Sequence, residues 1–217
     1  MSTASSSPDD TARAPARGRP VDEAKREAII DAARHSFFER GFAASSIEQI
    51  AADANVSKVT VYNHFGDKRG LLSATVDNEC SKLRGLFHIG ETPDGSLSER
   101  LTTIGAEMTA FLSRPEMVHF DRRIAAETEH DPEIGHAFLN SGPYRMKEAF
   151  TAFLESRVQA GELVIADCAL AAEQFVSMCK GIGDLERRFG KAVDAQADEA
   201  RIAGAVEVFL AAYATKG

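Results

Sequence analysis

The stretch SIEQIAADANVSKVTVYNHF, residues 46–65, reads as two short helices joined by a tight turn. Ser46 precedes the apolar positions Ile47, Ile50, Ala51 and Ala54, about two turns of helix that end at Asn55, and Ser57 then caps a second helix reaching Phe65. Asn55 is one of the few residue types besides glycine that enters the left-handed region cheaply, so the turn can be short, and Val56 can plug the space between the helices. On the second helix Val56, Val61 and Phe65 can face inward, whereas Lys58, Val59, Tyr62 and Asn63 project together at i, i+1, i+4 and i+5. This is the geometry of a helix-turn-helix, whose second helix presents side chains to a groove.

Upstream, Asp22 is placed to cap a helix whose stripe Ile29, Ala32, Ala33, Ser36 and Phe37 runs to Gly41. Downstream, Gly66 and Asp67 close one helix and cap a longer one carrying Leu71, Leu72, Val76, Leu83 and Leu86. Residues 1–18 are mostly Ser, Ala, Thr, Pro and Asp and cannot offset the entropy of ordering, so a disordered tail ending in Arg13, Arg17 and Arg19 is expected. Beyond the Pro93-Asp94-Gly95 turn, helices are expected over about 97–113, 116–130, 132–140, 143–160, 167–189 and 198–214, with breaks at Pro115, Pro132, Gly142-Pro143, Gly161 and Gly190. No stretch alternates like a strand. The expected fold is all-α: a basic arm (1–20), a three-helix helix-turn-helix domain (21–66), a connector helix (67–87) and a C-terminal bundle of about six helices (88–217).

The chain of 217 residues is 44% apolar, enough for a real core, which excludes disorder throughout, collagen and a disulfide-stapled mini-protein. No run approaches the ~18 apolar residues of a membrane span and no apolar leader opens the sequence, so no membrane partner and a cytoplasmic location are expected. Cys80, Cys168 and Cys179 are odd in number and form no C-x-x-C pair, which suits a reducing compartment; they read as core or surface residues, with a redox-sensing thiol as the alternative. The net charge is −8, which taken whole argues against a nucleic-acid partner. The first 85 residues, however, hold twelve basic and twelve acidic side chains, so the whole excess of acid lies in the remainder.

Each outward residue of the second short helix has a plausible partner on duplex DNA. Lys58 can donate to guanine O6 or N7, Asn63 can pair with an adenine edge or a phosphate, and Val59 can meet a thymine methyl. Ser46, Thr60, Tyr62, His64 and Lys68 offer donors suited to phosphate, and Arg17 and Arg19 on the arm could reach a minor groove. An ordinary solvated helix face with an exposed tyrosine is the competing explanation. The run Ile47-Glu48-Gln49-Ile50-Ala51, then Val56-Ser57-Lys58-Val59-Thr60-Val61-Tyr62-Asn63-His64-Phe65, then Asp67-Lys68-Arg69-Gly70-Leu71-Leu72, resembles the DNA-binding domain of TetR/AcrR-family transcriptional regulators, as does the helix end Phe37-Phe38-Glu39-Arg40-Gly41-Phe42. The resemblance covers about residues 22–75 and departs from the family at Asn55, where glycine is commoner. It implies an all-α homodimer, usually a repressor, that binds an operator and releases it to a small-molecule inducer, with Lys58, Val59, Thr60, Tyr62, Asn63, His64 and Lys68 as the DNA contacts. Ala125-Ala126-Glu127, Asp131-Pro132-Glu133, Gly161-Glu162-Leu163 and Ala171-Ala172-Glu173-Gln174-Phe175 are similar to the AefR-like branch.

In the body, Ala171, Phe175, Met178, Ile182, Leu185 and Phe189 recur with a period of 3.5, a seam that packs helices at shallow angles, and Val206, Phe209, Leu210 and Tyr213 repeat it on the last helix. Both stripes can be intramolecular core; the resemblance implies that they meet a twin. Phe111, His119, Phe120, Arg123, Phe138, Tyr144, Met146, Phe150, Phe175 and Met178 are the positions that can wall an inducer pocket. Glu-x-x-His occurs at Glu116/His119, Glu127/His130 and Glu133/His136, the pattern of di-iron bundles, so a metal-binding oxidative enzyme is the alternative function. Glu116 and Glu127 would lie ~16 Å apart on one helix, too far for two metals within about 4 Å. No metal, cofactor or catalytic residue is therefore assigned, although a single regulatory metal at His119, Glu127, His130 or Asp131 stays open.

Overall fold

The computed structural model describes residues 19–88, 95–192 and 194–215. Among them the chain forms ten helices: α1 (Arg19–Arg40), α2 (Ile47–Asp53), α3 (Lys58–Phe65), α4 (Lys68–His88), α5 (Leu97–Ser113), α6 (Pro115–Thr128), α7 (Pro132–Ser141), α8 (Pro143–Gln159), α9 (Cys168–Arg188) and α10 (Ala195–Tyr213). The only strand-like feature among the described residues is an isolated bridge between Leu163 and Ala214. The all-α expectation holds.

The helix ends follow from local chemistry. Ser46 and Ser57 accept from the amides of Gln49 and Thr60, each at 3.1 Å, and so cap α2 and α3. Ser96 and Glu99 form a reciprocal capping box on α5, and prolines 115, 132 and 143 open α6, α7 and α8, where a missing amide proton costs nothing. Two starts differ from expectation. α1 begins at Arg19, so Asp22 sits inside its first turn rather than capping it, and α10 begins at Ala195 because Asp194 accepts from Ala197 N at 3.0 Å.

The helix-turn-helix turn is a Schellman motif. Asn55 has φ 53°, and the amides of Asn55 and Val56 donate to the carbonyls of Ala52 (3.0 Å) and Ala51 (2.9 Å). Val61 is buried, and Val56 and Phe65 pack beside it, as the spacing predicts.

Two apolar cores hold the chain. One gathers Ile29, Phe37, Phe38, Ile50, Val61, Leu71 and Val76 together with Met117, Phe120, Ile124 and Ile134, so α1 to α4 share a core with α6 and α7. The other joins α5, α8, α9 and α10 through Leu101, Phe150, Leu154, Phe175, Ile202 and Phe209. α9 is not the continuous helix expected: Gly181 has φ 45° and ψ −151°, a break inside it.

Replacing Asn55 with valine should lower stability by about 1–2 kcal/mol, because a β-branched residue pays the full cost of the left-handed region, whereas Asn55→Gly should leave it nearly unchanged. Thermal denaturation of the two variants beside wild type checks this.

Candidate nucleic-acid interface and cavity

The exposed face of α3 carries Lys58, Val59, Tyr62 and Asn63, with Val59 65% and Tyr62 42% exposed. Open apolar and aromatic side chains on a short helix gain little from water but suit the methyl groups and sugar edges of a groove. Lys58 is not free: its ammonium pairs with Glu48 of α2 and lies 5.7 Å from the centroid of the Tyr62 ring. The hydrogen bond between them raises the Lys58 pKa and lowers that of Glu48. Both groups are solvent-exposed, so the pair is easily exchanged for a partner on another molecule.

The remaining expected contacts are placed differently. Ser46 is exposed, but its hydroxyl accepts the α2 cap bond. Thr60 is half-buried and its hydroxyl shares a 2.9 Å hydrogen bond with Ser57. His64 is also half-buried, its Nε2 3.2 Å from Asp22 Oδ1 across α1. Lys68 turns toward the α1–α2 loop, where Nζ donates to Ala43 O at 3.3 Å and lies 4.5 Å from the Phe42 ring centroid; partial burial lowers its pKa. Arg19 opens α1 instead of lying on a free arm, and Arg17 is outside the described residues.

Behind this head lies a cavity of about 380 Å³. Of the expected lining, Phe111, Phe120, Phe138, Tyr144, Met146 and Phe150 border it. Four do not. His119 is exposed, Arg123 donates to Phe38 O at 2.6 Å and so closes the end of α1, Phe175 is fully buried in the second core, and Met178 packs on that core. Part of the lining that sequence reasoning missed comes from the head and connector, namely Phe38 of α1 and Val76, Glu79, Cys80 and Leu83 of α4, and the rest from the body, including Ile104, Met108 and Met117. The four on α4 recur at i, i+3, i+4 and i+7, one helical face, and a carboxylate in that register was the available signal. Lys147, paired with Glu173, and Lys180 add polar groups to the wall.

The expected dimer seam divides at Gly181. Before the break Phe175 enters the core, where its ring centroid lies 5.3 Å from that of Phe209, and Val206 and Phe209 are likewise buried, so none of these three is available to a partner. After it the helix face turns outward, leaving Ile182, Leu185 and Phe189 exposed, Phe189 by 85%. Met178, Leu210 and Tyr213 are partly buried, and the Tyr213 hydroxyl donates to Gln174 at 2.8 Å.

The Glu-x-x-His pairs are not brought together. Glu116 faces Arg114 at 3.7 Å, Glu127 accepts from Ala43 N at 3.1 Å, and Glu133 and His136 face each other at 3.4 Å. Asp131 pairs with Arg69 at 2.6 Å, and among the described residues no group of three or more His, Cys, Asp or Glu could hold a metal ion. Burial pushes the thiols of Cys80 and Cys179 up to about 11 and about 12, which removes the thiolate a redox sensor needs. No described helix is long and apolar enough to cross a membrane.

A capped helix-turn-helix with an exposed recognition face, packed on a helical body that encloses an apolar cavity, defines a DNA-binding transcriptional regulator. Known proteins agree. Residues 29–75 match the bacterial regulatory proteins of the tetR family, and residues 99–215 match the AefR-like transcriptional repressor C-terminal domain. YvkB, an HTH-type transcriptional regulator of Bacillus subtilis, is 27% identical over 154 residues, covering 70% of this chain and 78% of that protein. The structure of a TetR-family regulator from Mesorhizobium loti superposes with a TM-score of 0.75 at 26% identity, covering 89% of this chain and 98% of its own. The flavonoid-responsive regulator FrrA superposes at 0.68 with 30% identity, over 90% of this chain and 100% of its own. The chain belongs to the TetR family of transcriptional regulators, with a C-terminal domain of the AefR-like type.

Two outcomes follow. Glu48→Gln should release Lys58 and steepen the salt dependence of duplex binding by about one unit of slope, read from affinities across a salt series. At pH 8 an alkylating reagent should modify half-buried Cys168 well before Cys80 or Cys179, whose raised pKa values keep them protonated until the pH rises through about 11 and 12; mass spectrometry of the labelled peptides checks the order.

Proposed function

We propose that the protein is a homodimeric repressor that leaves a roughly palindromic operator when a small, largely apolar aromatic molecule fills the cavity. The observation that carries this reading is the composition of the cavity wall. Phe38 belongs to the helix that buttresses the helix-turn-helix, and Val76, Glu79, Cys80 and Leu83 belong to the helix that follows it. A ligand there contacts the elements that set the position of α3. It can therefore favour one arrangement of the head over another, the differential interaction that a population shift requires.

The ligand class is supported by the wall and by one relative. Six aromatic rings (Phe38, Phe111, Phe120, Phe138, Phe150 and Tyr144) and Met108, Met117 and Met146 offer flat and adaptable apolar surface, with few polar groups to fix orientation. FrrA, at 30% identity, is named for its response to flavonoids, which are planar aromatics of this kind. Dimerisation is supported by the exposed Ile182 and Leu185 on α9, Phe189 just past its end and Val208 on α10, apolar groups that a second copy would cover. Lys58, Val59, Tyr62 and Asn63 are the groups proposed to enter the major groove, with Ser46 near the backbone.

The test begins with selection of bound duplexes from genomic DNA by the purified chain, followed by titration with quercetin, a flavonoid. Affinity should fall at least tenfold at saturation, and an unchanged affinity overturns ligand control. Lys58→Ala should cost about tenfold and relax preference at one base pair. Phe189→Asp should give a monomer by sedimentation and lose the affinity that two half-sites supply together; a dimer that persists in that variant removes α9 from the interface.

A further inference from the structure

The cavity wall contains one largely buried carboxylate. Glu79 on α4 is 13% exposed, whereas Glu173, the other acid on the wall, is exposed and paired with Lys147. Glu79 accepts from two arginines at once: Arg34 Nε of α1 at 2.8 Å through Oε1, and Arg114 Nη2, between α5 and α6, at 3.2 Å through Oε2. Each arginine also lies on an aromatic ring that faces the cavity. The Arg34 guanidinium is 5.2 Å from the Phe38 ring centroid, and that of Arg114 is 4.4 Å from the Phe111 ring centroid.

We propose that Glu79 is a positioning residue that couples the cavity to the DNA-binding head, by holding Arg34 of α1 and Arg114 of the body in one ionic clasp that a bound ligand pulls apart. This rests on the ligand-responsive reading above. The clasp closes a short mechanical path. A ligand that displaces the Phe111 or Phe38 ring also displaces the guanidinium that lies on it. Because Glu79 bridges two arginines attached to different elements, it cannot follow both. Only the carboxylate is largely shielded, the two guanidinium groups being 36% exposed, but charge-assisted hydrogen bonds weaken steeply with distance, so a small displacement exchanges one bonded arrangement for another. Arg34 lies one turn before Phe38 on α1, and the same helix buries Ile29, Ala33 and Phe37 in the core that holds α2 and α3. Release of Arg34 thus loosens the helix on which the recognition element is built.

The experiment compares the full-length wild type with Glu79→Gln, Arg34→Gln and the double variant. Hydrogen exchange of peptides spanning residues 29–42 reads the tie without ligand, and quercetin titration reads the coupling, both through quenched ligand fluorescence and through affinity for a duplex selected with wild type. Glu79→Gln should exchange about tenfold faster in that segment, Arg34→Gln should match it, and the double variant should add less than about threefold, because the two residues act as one unit. Quercetin should still bind Arg34→Gln, whose side chain is not part of the cavity wall, within about threefold of wild type, while its effect on duplex affinity shrinks from at least tenfold to under about threefold in both Arg34→Gln and Glu79→Gln. A merely structural role would weaken ligand and duplex binding together, so this split is diagnostic. Wild-type exchange over 29–42 in the variants, or an undiminished quercetin effect in Glu79→Gln, overturns the clasp. If quercetin leaves wild-type duplex affinity unchanged, ligand control by this class fails separately, and the exchange of the three variants alone decides the clasp.

Discussion

Phe38 lies nearly flat on Phe120, with ring centroids 4.2 Å apart and planes 5° from parallel, and through that contact the helix that carries the DNA-binding head is packed on the body. Arg123, one turn beyond Phe120 on α6, donates to the Phe38 carbonyl, and Glu127, a further turn on, accepts from Ala43 N. One face of α6 therefore supplies the ring that buries α1 and the polar groups that satisfy the backbone where α1 ends. The Phe38 carbonyl, in the last turn of α1, has no partner inside its own helix, and Arg123 supplies one. The shared core and the capped helix end act together, so the head does not hang from α4 alone.

Charge is distributed to the same end. The excess acid lies in the second part of the sequence, and some of it is turned back on the head: Asp131 on Arg69 and Glu127 on the α1–α2 loop. Within the head, Glu48 neutralises Lys58 and Asp22 faces His64. A recognition helix whose cation is already paired attracts phosphate less strongly at random, and gains only where a base offers more than the carboxylate does. The acidic body repels duplex elsewhere. Both effects lower non-specific attachment more than specific attachment, which is what a regulator searching a large excess of competing sites requires.

Much of this was legible in the sequence because it is local. Ser46 and Ser57 announce helix starts through caps, and Asn55 announces the left-handed turn. The Val56, Val61 and Phe65 spacing predicts an inward face that is observed. What was not legible depends on contacts distant in sequence or on a single backbone angle. A period of 3.5 along α9 predicts one continuous seam, but Gly181 at φ 45° resets the helical phase, sending Phe175 inward and Phe189 outward. The stripe through Ile29, Ala33 and Phe37 leaves out Phe38, whose place in the first core and the cavity wall became visible only with α6 beside it. Lys68 and His64 look like free donors in the motif, yet their partners Ala43 and Asp22 lie 25 and 42 residues away.

The position of the cavity matters more to regulation than its size. A ligand shifts an equilibrium only by the difference between its affinities for the two states, so a pocket enclosed by elements that keep one arrangement would bind tightly and change nothing. The second core, built from α5, α8, α9 and α10 with Phe150, Phe175 and Phe209 at its centre, would be such a place, since no residue of the head enters it. The cavity instead lies where the two cores adjoin. Its wall takes Phe150 and Ala172 from the second, and Phe38, Val76, Cys80 and Phe120 from the first. On the proposed ligand-responsive reading, binding there would be sensitive to how α1 and α4 sit on the body, and by reciprocity the hold of the head on DNA would be sensitive to what fills the cavity.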